Sequence, residues 1–150
     1  MKSIKLHTIK EASELSGLPE STLRYYESIG LIDPINRDPS SKHRVYGEDD
    51  INLIIAVACL SATGMSIEDM RSYLGNRNHG SRTAHEQIAL LEGQKKRLNE
   101  EVHYLKLRRQ YVDTKIAYWH AVYSKNTKET ERMRQVARQI AVELKLPREK

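Results

Sequence analysis

Residues Ser21–Leu31 read S-T-L-R-Y-Y-E-S-I-G-L and place an arginine, two tyrosines and small hydroxyl residues on one short helical stretch. Arg24 is equipped to donate two parallel hydrogen bonds to a guanine edge or a phosphate. Ser21, Thr22 and the hydroxyls of Tyr25 and Tyr26 are suited to hold phosphate oxygens and fix a docking angle. The stretch therefore reads as a helix that recognises duplex DNA.

The residues before it supply support. Thr8 followed by Glu11 forms a capping box, which starts a first helix at Ile9 with Ile9, Ala12 and Leu15 on its buried face. Gly17 gives a sharp turn, Pro19 suits the first position of a second helix, and Gly30 ends that helix after about a dozen residues. Helix, tight turn and helix follow one another. Ile35 to Tyr46 then carries Asn36, Asp38, Pro39, Ser40 and Ser41 between short apolar ends, the pattern of a β-hairpin with a polar tip. Arg37, Lys42, His43 and Arg44 flank the tip as a wing for phosphates, or as a solvated charged loop.

A third helix is expected near Gly47, where Glu48, Asp49 and Asp50 favour the positive end of the helix dipole. It runs almost wholly apolar from Ile51 to Leu60 and stops at Gly64. Ser66 with Asp69 begins a fourth, packed through Met65, Ile67, Met70 and Leu74, and Ser66 marks either a phosphate site or an ordinary cap. The polar run N-R-N-H-G-S-R at 76–82 reads as a linker.

Beyond it Ile88, Leu91, Lys95, Leu98, Val102, Leu105, Arg109, Val112, Ile116, Trp119 and Tyr123 recur in steps of three and four. Such a stripe on one helix calls for a partner, so the chain is expected to form a homodimer through Ile88, Leu91, Leu98, Val102, Leu105, Val112, Ile116 and Trp119. Lys95 and Arg109 on the seam would set register or partner. A last amphipathic helix covers Thr130 to Leu146, with Met133, Val136, Ala137, Ile140, Ala141 and Leu144 at helical spacing; Pro147 and the charged end follow it.

Four ordered blocks in this frame are similar to the MerR family of bacterial transcription regulators. They are T-I-K-E-A-S-E-L-S-G-L from Thr8, the block from Ser21, H-R-V-Y from His43 to Tyr46, and G-M-S-I-E from Gly64 to Glu68. The resemblance covers about the first half of the chain in sequence and the second half in architecture only. It implies a mainly α fold: a winged helix-turn-helix with a small β-hairpin wing, then a long coiled-coil dimerisation helix and, here, a C-terminal amphipathic helix. It also implies that the third and fourth helices form a second wing, that the dimer is antiparallel, and that the activated protein bends and untwists a promoter for RNA polymerase. The expected plan is a DNA-binding domain at 1–75, a linker at 76–82, a dimerisation helix at 83–123 and a tail at 124–150. Candidate DNA-binding residues are Thr8, Ser21, Thr22, Arg24, Tyr25, Tyr26, Arg37, Lys42, His43, Arg44, Tyr46 and Ser66, on a pseudo-palindromic double-stranded operator.

Charge distribution qualifies the nucleic-acid reading. The formal charge is +5, yet residues 1–50 hold seven Lys and Arg against nine Asp and Glu, and residues 76–150 hold seventeen against nine. Phosphate contact in the first part must therefore rest on where cations stand, not on their sum.

Cys59, the single cysteine, stands in C-L-S-A-T-G-M-S-I-E. In that position it is similar to the branch of the family that answers aldehydes and nitrosative or thiol-reactive stress. A sensor thiol needs a cation or donor that favours the thiolate, and Ile55, Ala56, Ala62 and Thr63 supply none locally, so a small core-filling residue is the alternative. Metal sensing is not expected: the family's metal-responsive branches place cysteines near positions equivalent to Arg82 and Ser124, and His79, His85, His103 and His120 do not converge along the chain. No cofactor is expected. Tyr104, Tyr111, Tyr118, Tyr123 and Trp119 either pack the seam or line an aromatic pocket.

The sequence pairs no nucleophile with a base and holds no phosphate loop after a strand, which argues against an enzyme. It has no run of eighteen apolar residues and no signal-peptide pattern at Met1–Lys10, which together predict a soluble cytoplasmic protein without membrane contact. The alternatives in function are a coiled-coil adaptor or recombination accessory factor carrying a helix-turn-helix, or a regulator of this family answering another ligand.

Overall fold

The structure is a computed structural model describing residues 5–145, and it is mainly helical. One compact unit ends at Gln94 and a second begins at Lys95.

In the first unit, α1 (Ile9–Ser16) starts at the expected capping box. The Glu11 amide donates to Thr8 Oγ1 at 3.2 Å and the Thr8 amide donates back to Glu11 Oε1 at 3.1 Å. Gly17 closes the helix at φ +77°, a left-handed conformation that costs glycine little, and its amide donates to the Ser13 carbonyl at 2.8 Å. Ala12 is fully buried and Ile9 partly so, but Leu15 is 52% exposed, contrary to expectation. The inward face runs through Ile9, Ala12, Ser13 and Ser16, whose small side chains permit close approach; Leu15 falls outside it.

Pro19 caps α2 (Glu20–Ser28) from an extended conformation and does not occupy its first turn, so α2 has 9 residues instead of about a dozen. Leu23 and Tyr26, three apart, face inward, and the chain continues into buried Leu31, Ile32 and Ile35. The wing is reduced to isolated antiparallel bridges, Arg37 with Arg44 and His7 with Tyr46.

The hub is α3 (Glu48–Ala62), whose first turn is closed by the Gly47 amide donating to Asp50 Oδ2 at 2.9 Å. Ile51, Ile54, Val57 and Leu60 fill the centre of the first unit, together with Met65 and with Met70 and Leu74 of α4 (Ile67–Asn76). Ser66 Oγ accepts the Asp69 amide at 3.1 Å, as the spacing predicts. The 76–82 segment is a compact connection ending in one 3-10 turn, Gly80–Arg82.

The long helix α5 (Ala84–Tyr123) is continuous over 40 residues. In the second unit, Leu107 and Ala121 of α5 and Met133 and Ala137 of α6 (Thr127–Leu144) are buried, and Tyr111, Thr114 and Tyr118 are partly so. These α5 positions form their own three-and-four stripe. Arg134 of α6 lies 5.8 Å from the Tyr118 ring and donates to its hydroxyl at 3.4 Å. Leu105 and Leu107 differ by two positions, about 200° around a helix, so the seam faces away from this stripe. Ile88, Leu91, Leu98, Val102, Leu105, Val112, Ile116 and Trp119 are all exposed in the single chain. Pro147 and the charged end lie outside the described residues.

Ile54 is fully buried at the hub, whereas Leu15 is exposed. Ile54→Ala should therefore cost about 2–5 kcal/mol by the lost burial and the cavity left behind. Leu15→Ala should change stability by only about 0.5 kcal/mol. Urea unfolding of both variants at one protein concentration measures the contrast.

Candidate nucleic-acid interface

Burial of Leu23 and Tyr26 fixes the rotation of α2. With those two facing the core, the outward face presents Ser21, Arg24, Tyr25 and Ser28 at the spacing of successive helical turns. Thr22 is half-buried at its edge. Arg24 lies 4.0 Å from Glu20 within the same helix, both side chains substantially exposed. Such a pair contributes little, so the guanidinium remains available to an incoming anion.

Two of the three tyrosine candidates are structural, and only Tyr25 is exposed. Tyr26 is 8% exposed, with its hydroxyl 3.3 Å from Ser61 Oγ in the last part of α3. Tyr46 is 1% exposed. Neither side chain is available to DNA, which corrects the sequence-based assignment of both. Burial pushes the Tyr46 phenol up; the Arg44 cation opposes that shift and the Glu27 carboxylate adds to it.

Arg44 is also committed. Its Nε donates to Glu27 Oε1 of α2 at 3.0 Å, each side chain only 18% exposed. This charge-assisted bond ties the wing segment to α2, so the Arg44 side chain is held within the fold and is not a free cation. Sequence reasoning missed Glu27 because its partner lies seventeen positions away, a separation with no local signature.

The remaining wing cations stand outward. Lys42 and His43 are exposed, and Arg37 is exposed while donating to the Lys42 carbonyl at 3.0 Å. Asp38 builds the tip: its Oδ1 accepts from the Ser40 amide and hydroxyl and from the Ser41 amide, at 2.8–2.9 Å. Lys42 then turns the chain at φ +64°, an uncommon conformation for a side-chain-bearing residue. Thr8 and Ser66 are both exposed, with their oxygens engaged as helix caps.

Other anchors also went unforeseen. Arg71 donates to the Ile29 carbonyl at 2.8 Å, and Arg77 pairs with Asp33 at 3.4 Å, so cations of α4 and its cap hold the segment after α2. Cys59, on α3, is exposed, so the core-filling alternative does not describe it.

The pattern described as MerR HTH family regulatory protein matches residues 7–76, the stretch that holds α1 to α4 and the wing segment. A crystal structure from Listeria monocytogenes, described as a MerR family transcriptional regulator, is similar at 32% identity and a TM-score of 0.64, covering 85% of this chain and 96% of that one. This chain belongs to the MerR family. The family is one of helix-turn-helix DNA-binding transcription regulators, not enzymes. A second MerR structure, HiNmlR, described as lacking the sensor domain and bound to promoter DNA, is similar at 26% identity and a TM-score of 0.64, over 86% of this chain and 96% of that one. Among curated relatives, the transcriptional regulator AdhR of Bacillus subtilis is 37% identical over 92 residues, which is 61% of this chain and 65% of AdhR. The match thus spans just under two thirds of that relative's length.

Hydrogen bonds from the Ser41 amide first, then from the Ser40 hydroxyl and amide, hold the Asp38 carboxyl at about 2 instead of the ordinary 3.8. Because the folded value is the lower one, the turn gains stability that is present above pH ~4 and lost as pH falls through about 2. Carboxyl-detected NMR titration should place the Asp38 midpoint near 2. A midpoint at the ordinary value would show that the tip is not built this way.

Proposed function

We propose that this MerR member is a homodimeric, sequence-specific regulator that reads a pseudo-palindromic operator with two copies of α2 and distorts the promoter when a thiol-reactive signal reaches Cys59. The observation that carries the DNA-reading part is the outward strip of Ser21, Arg24 and Tyr25, held in phase by buried Leu23 and Tyr26. Arg24 reads base edges, while Ser21, Thr22, Tyr25, Arg37, Lys42, His43 and the α4 start at Ser66 hold phosphates. Thr8 stands at the α1 N-terminus as a further phosphate site.

Dimerisation rests on the α5 stripe from Ile88 to Trp119, apolar, exposed and turned away from the face buried within the second unit. Two recognition helices on a two-fold axis would enter successive major grooves about 34 Å apart. Contacts at both wings would offset the energy of bending and untwisting the spacer, and RNA polymerase would then engage the realigned promoter elements without touching the regulator.

The input reading is supported by the exposure of Cys59, which lets a small electrophile reach its sulfur. The similarity to HiNmlR, a regulator described as lacking the sensor domain, fits a signal received on the DNA-binding unit itself. Reactive aldehydes and nitrosating species are the proposed chemical classes.

Footprinting with the purified protein tests the output: one protected pseudo-palindrome is expected upstream of a controlled gene, and no protection would refute the regulator. On that site Arg24→Ala should weaken binding by about 1–3 kcal/mol with little effect on random DNA. Lys42→Ala should weaken both alike and reduce the salt slope by about 1. Cys59→Ser tests the input, with transcription measured under aldehyde, nitrosothiol and metal challenge. The serine form should bind the operator normally and ignore the first two; a full response from it would remove the thiol from the mechanism.

A further inference from the structure

Two glutamines near the start of α5 make the same kind of bond seven residues apart. Gln87 Nε2 donates to the Tyr73 carbonyl of α4 at 2.8 Å, and Gln94 Nε2 donates to the Thr63 carbonyl just past α3 at 2.6 Å. Helix ends leave carbonyls without partners, and an amide side chain from a neighbouring helix satisfies one. Gln94 is 5% exposed, and it is the one buried polar side chain other than tyrosine among the described residues. The unit that ends with it holds the DNA-reading face, and the next residue begins the second unit.

Thr63 is in turn bound to the turn that contains the cysteine. Its amide donates to the Cys59 carbonyl at 3.3 Å and to the Leu60 carbonyl at 3.1 Å, while its hydroxyl donates to the Leu60 carbonyl at 2.6 Å. Gly64, at φ +81°, reverses the chain immediately afterwards, and a Cβ built on it would come within 3.6 Å of Gln94 Nε2. Two residues after Cys59, Ser61 meets the hydroxyl of Tyr26 in the recognition helix. The last turn of α3 thus touches α2 through one side-chain bond and α5 through another, with Cys59 at its start.

We propose that Gln94 is the positioning residue through which a change at Cys59 reaches α5, and that Gln87 is an anchor only. The inference rests on the reading of Cys59 as the point of signal entry. Modification that disturbs the Thr63–Cys59 bond shifts the Thr63 carbonyl, and the buried amide of Gln94 must follow it or lose that bond. The Tyr73 carbonyl belongs to α4 and does not share that turn, so Gln87 is insensitive to the same event. A change in the angle at which α5 leaves the first unit would alter the spacing of two reading faces in a dimer.

The test uses the full chain and methyl methanethiosulfonate. The Cys59 thiolate, its proton released to solvent, forms a new S–S bond with the methylthio sulfur as the reagent's own S–S bond breaks and methanesulfinate leaves with the electron pair. Hydrogen–deuterium exchange over residues 84–94 is the readout. Modification of the wild-type chain should speed exchange there about fivefold, the effect of losing one hydrogen bond of ordinary strength. In Gln94→Met exchange should already be fast, and modification should add nothing. In Gln87→Met exchange should also start faster, but the response to modification should persist. No response in the wild type, an undiminished response in Gln94→Met, or equal loss in both variants would overturn the proposal. Cys59→Ser reports on the signal itself: if its transcriptional response survives while the exchange pattern holds, the thiol-signal reading fails and the Gln94 coupling stands.

Discussion

A helix of nine residues does not hold its shape alone in water, because one costly nucleus is shared by too few hydrogen bonds. The helix α2, the proposed reader, therefore holds its shape only through its anchors. Leu23 and Tyr26 are buried in the core of the first unit, the Tyr26 hydroxyl meets Ser61 of α3, and the Tyr26 carbonyl accepts the amides of Leu31 and Ile32 at 2.9 and 3.2 Å. Those contacts set the rotation of α2 to within one residue and decide that Arg24 and Tyr25 face outward. The wing is fixed to the same helix by Arg44 and Glu27, so the reading surface is one packed object, not a helix beside a loose loop.

Next to that economy, α5 is over-provided with apolar surface. Its second half carries two stripes about 200° apart; the one through Leu107 and Ala121 is buried within the chain, and the other is left bare. A face of that length holding Ile88, Leu98, Leu105 and Trp119 has the chemistry that suits the proposed partner helix. Lys95 and Arg109 interrupt it at two seam positions, and such interruptions favour one register over its neighbours. The +8 imbalance of residues 76–150 belongs to this part of the chain; the proposed base reading rests instead on a few placed cations in a slightly acidic unit.

Features bonded within one turn were legible in the sequence. The Thr8–Glu11 box, the Ser66–Asp69 cap, the acidic start of α3 and the turns at Gly17 and Gly64 all depend on residues up to four apart. Tyr26 and Tyr46 read as phosphate contacts in the sequence because tyrosine suits both a phosphate and a core, and both are buried. The phase of Tyr26, three residues after Leu23, carried the discriminating signal. Leu15 shows the opposite: an apolar residue on a short helix reads as core, although small residues define the packed face. Glu27 with Arg44, Arg71 with Ile29 and Gln94 with Thr63 join positions 17, 42 and 31 apart, and no local pattern encodes such pairs. The stripe from Leu107 through Tyr111, Thr114 and Tyr118 to Ala121 was present in the spacing but overshadowed by the stronger aliphatic seam.

What joins these parts is the idea that the bare stripe of α5 sets a fixed distance between two copies of α2. The direct measurement is affinity for the footprinted operator and for a version with about five extra base pairs, half a helical turn, between its half-sites. If the seam fixes the spacing, the insertion rotates one half-site away from its reader and affinity falls roughly a hundredfold, the contribution of simultaneous engagement. Equal affinity for both DNAs would mean that the two reading faces are not held at a set separation and that the α5 stripe does not fix their spacing.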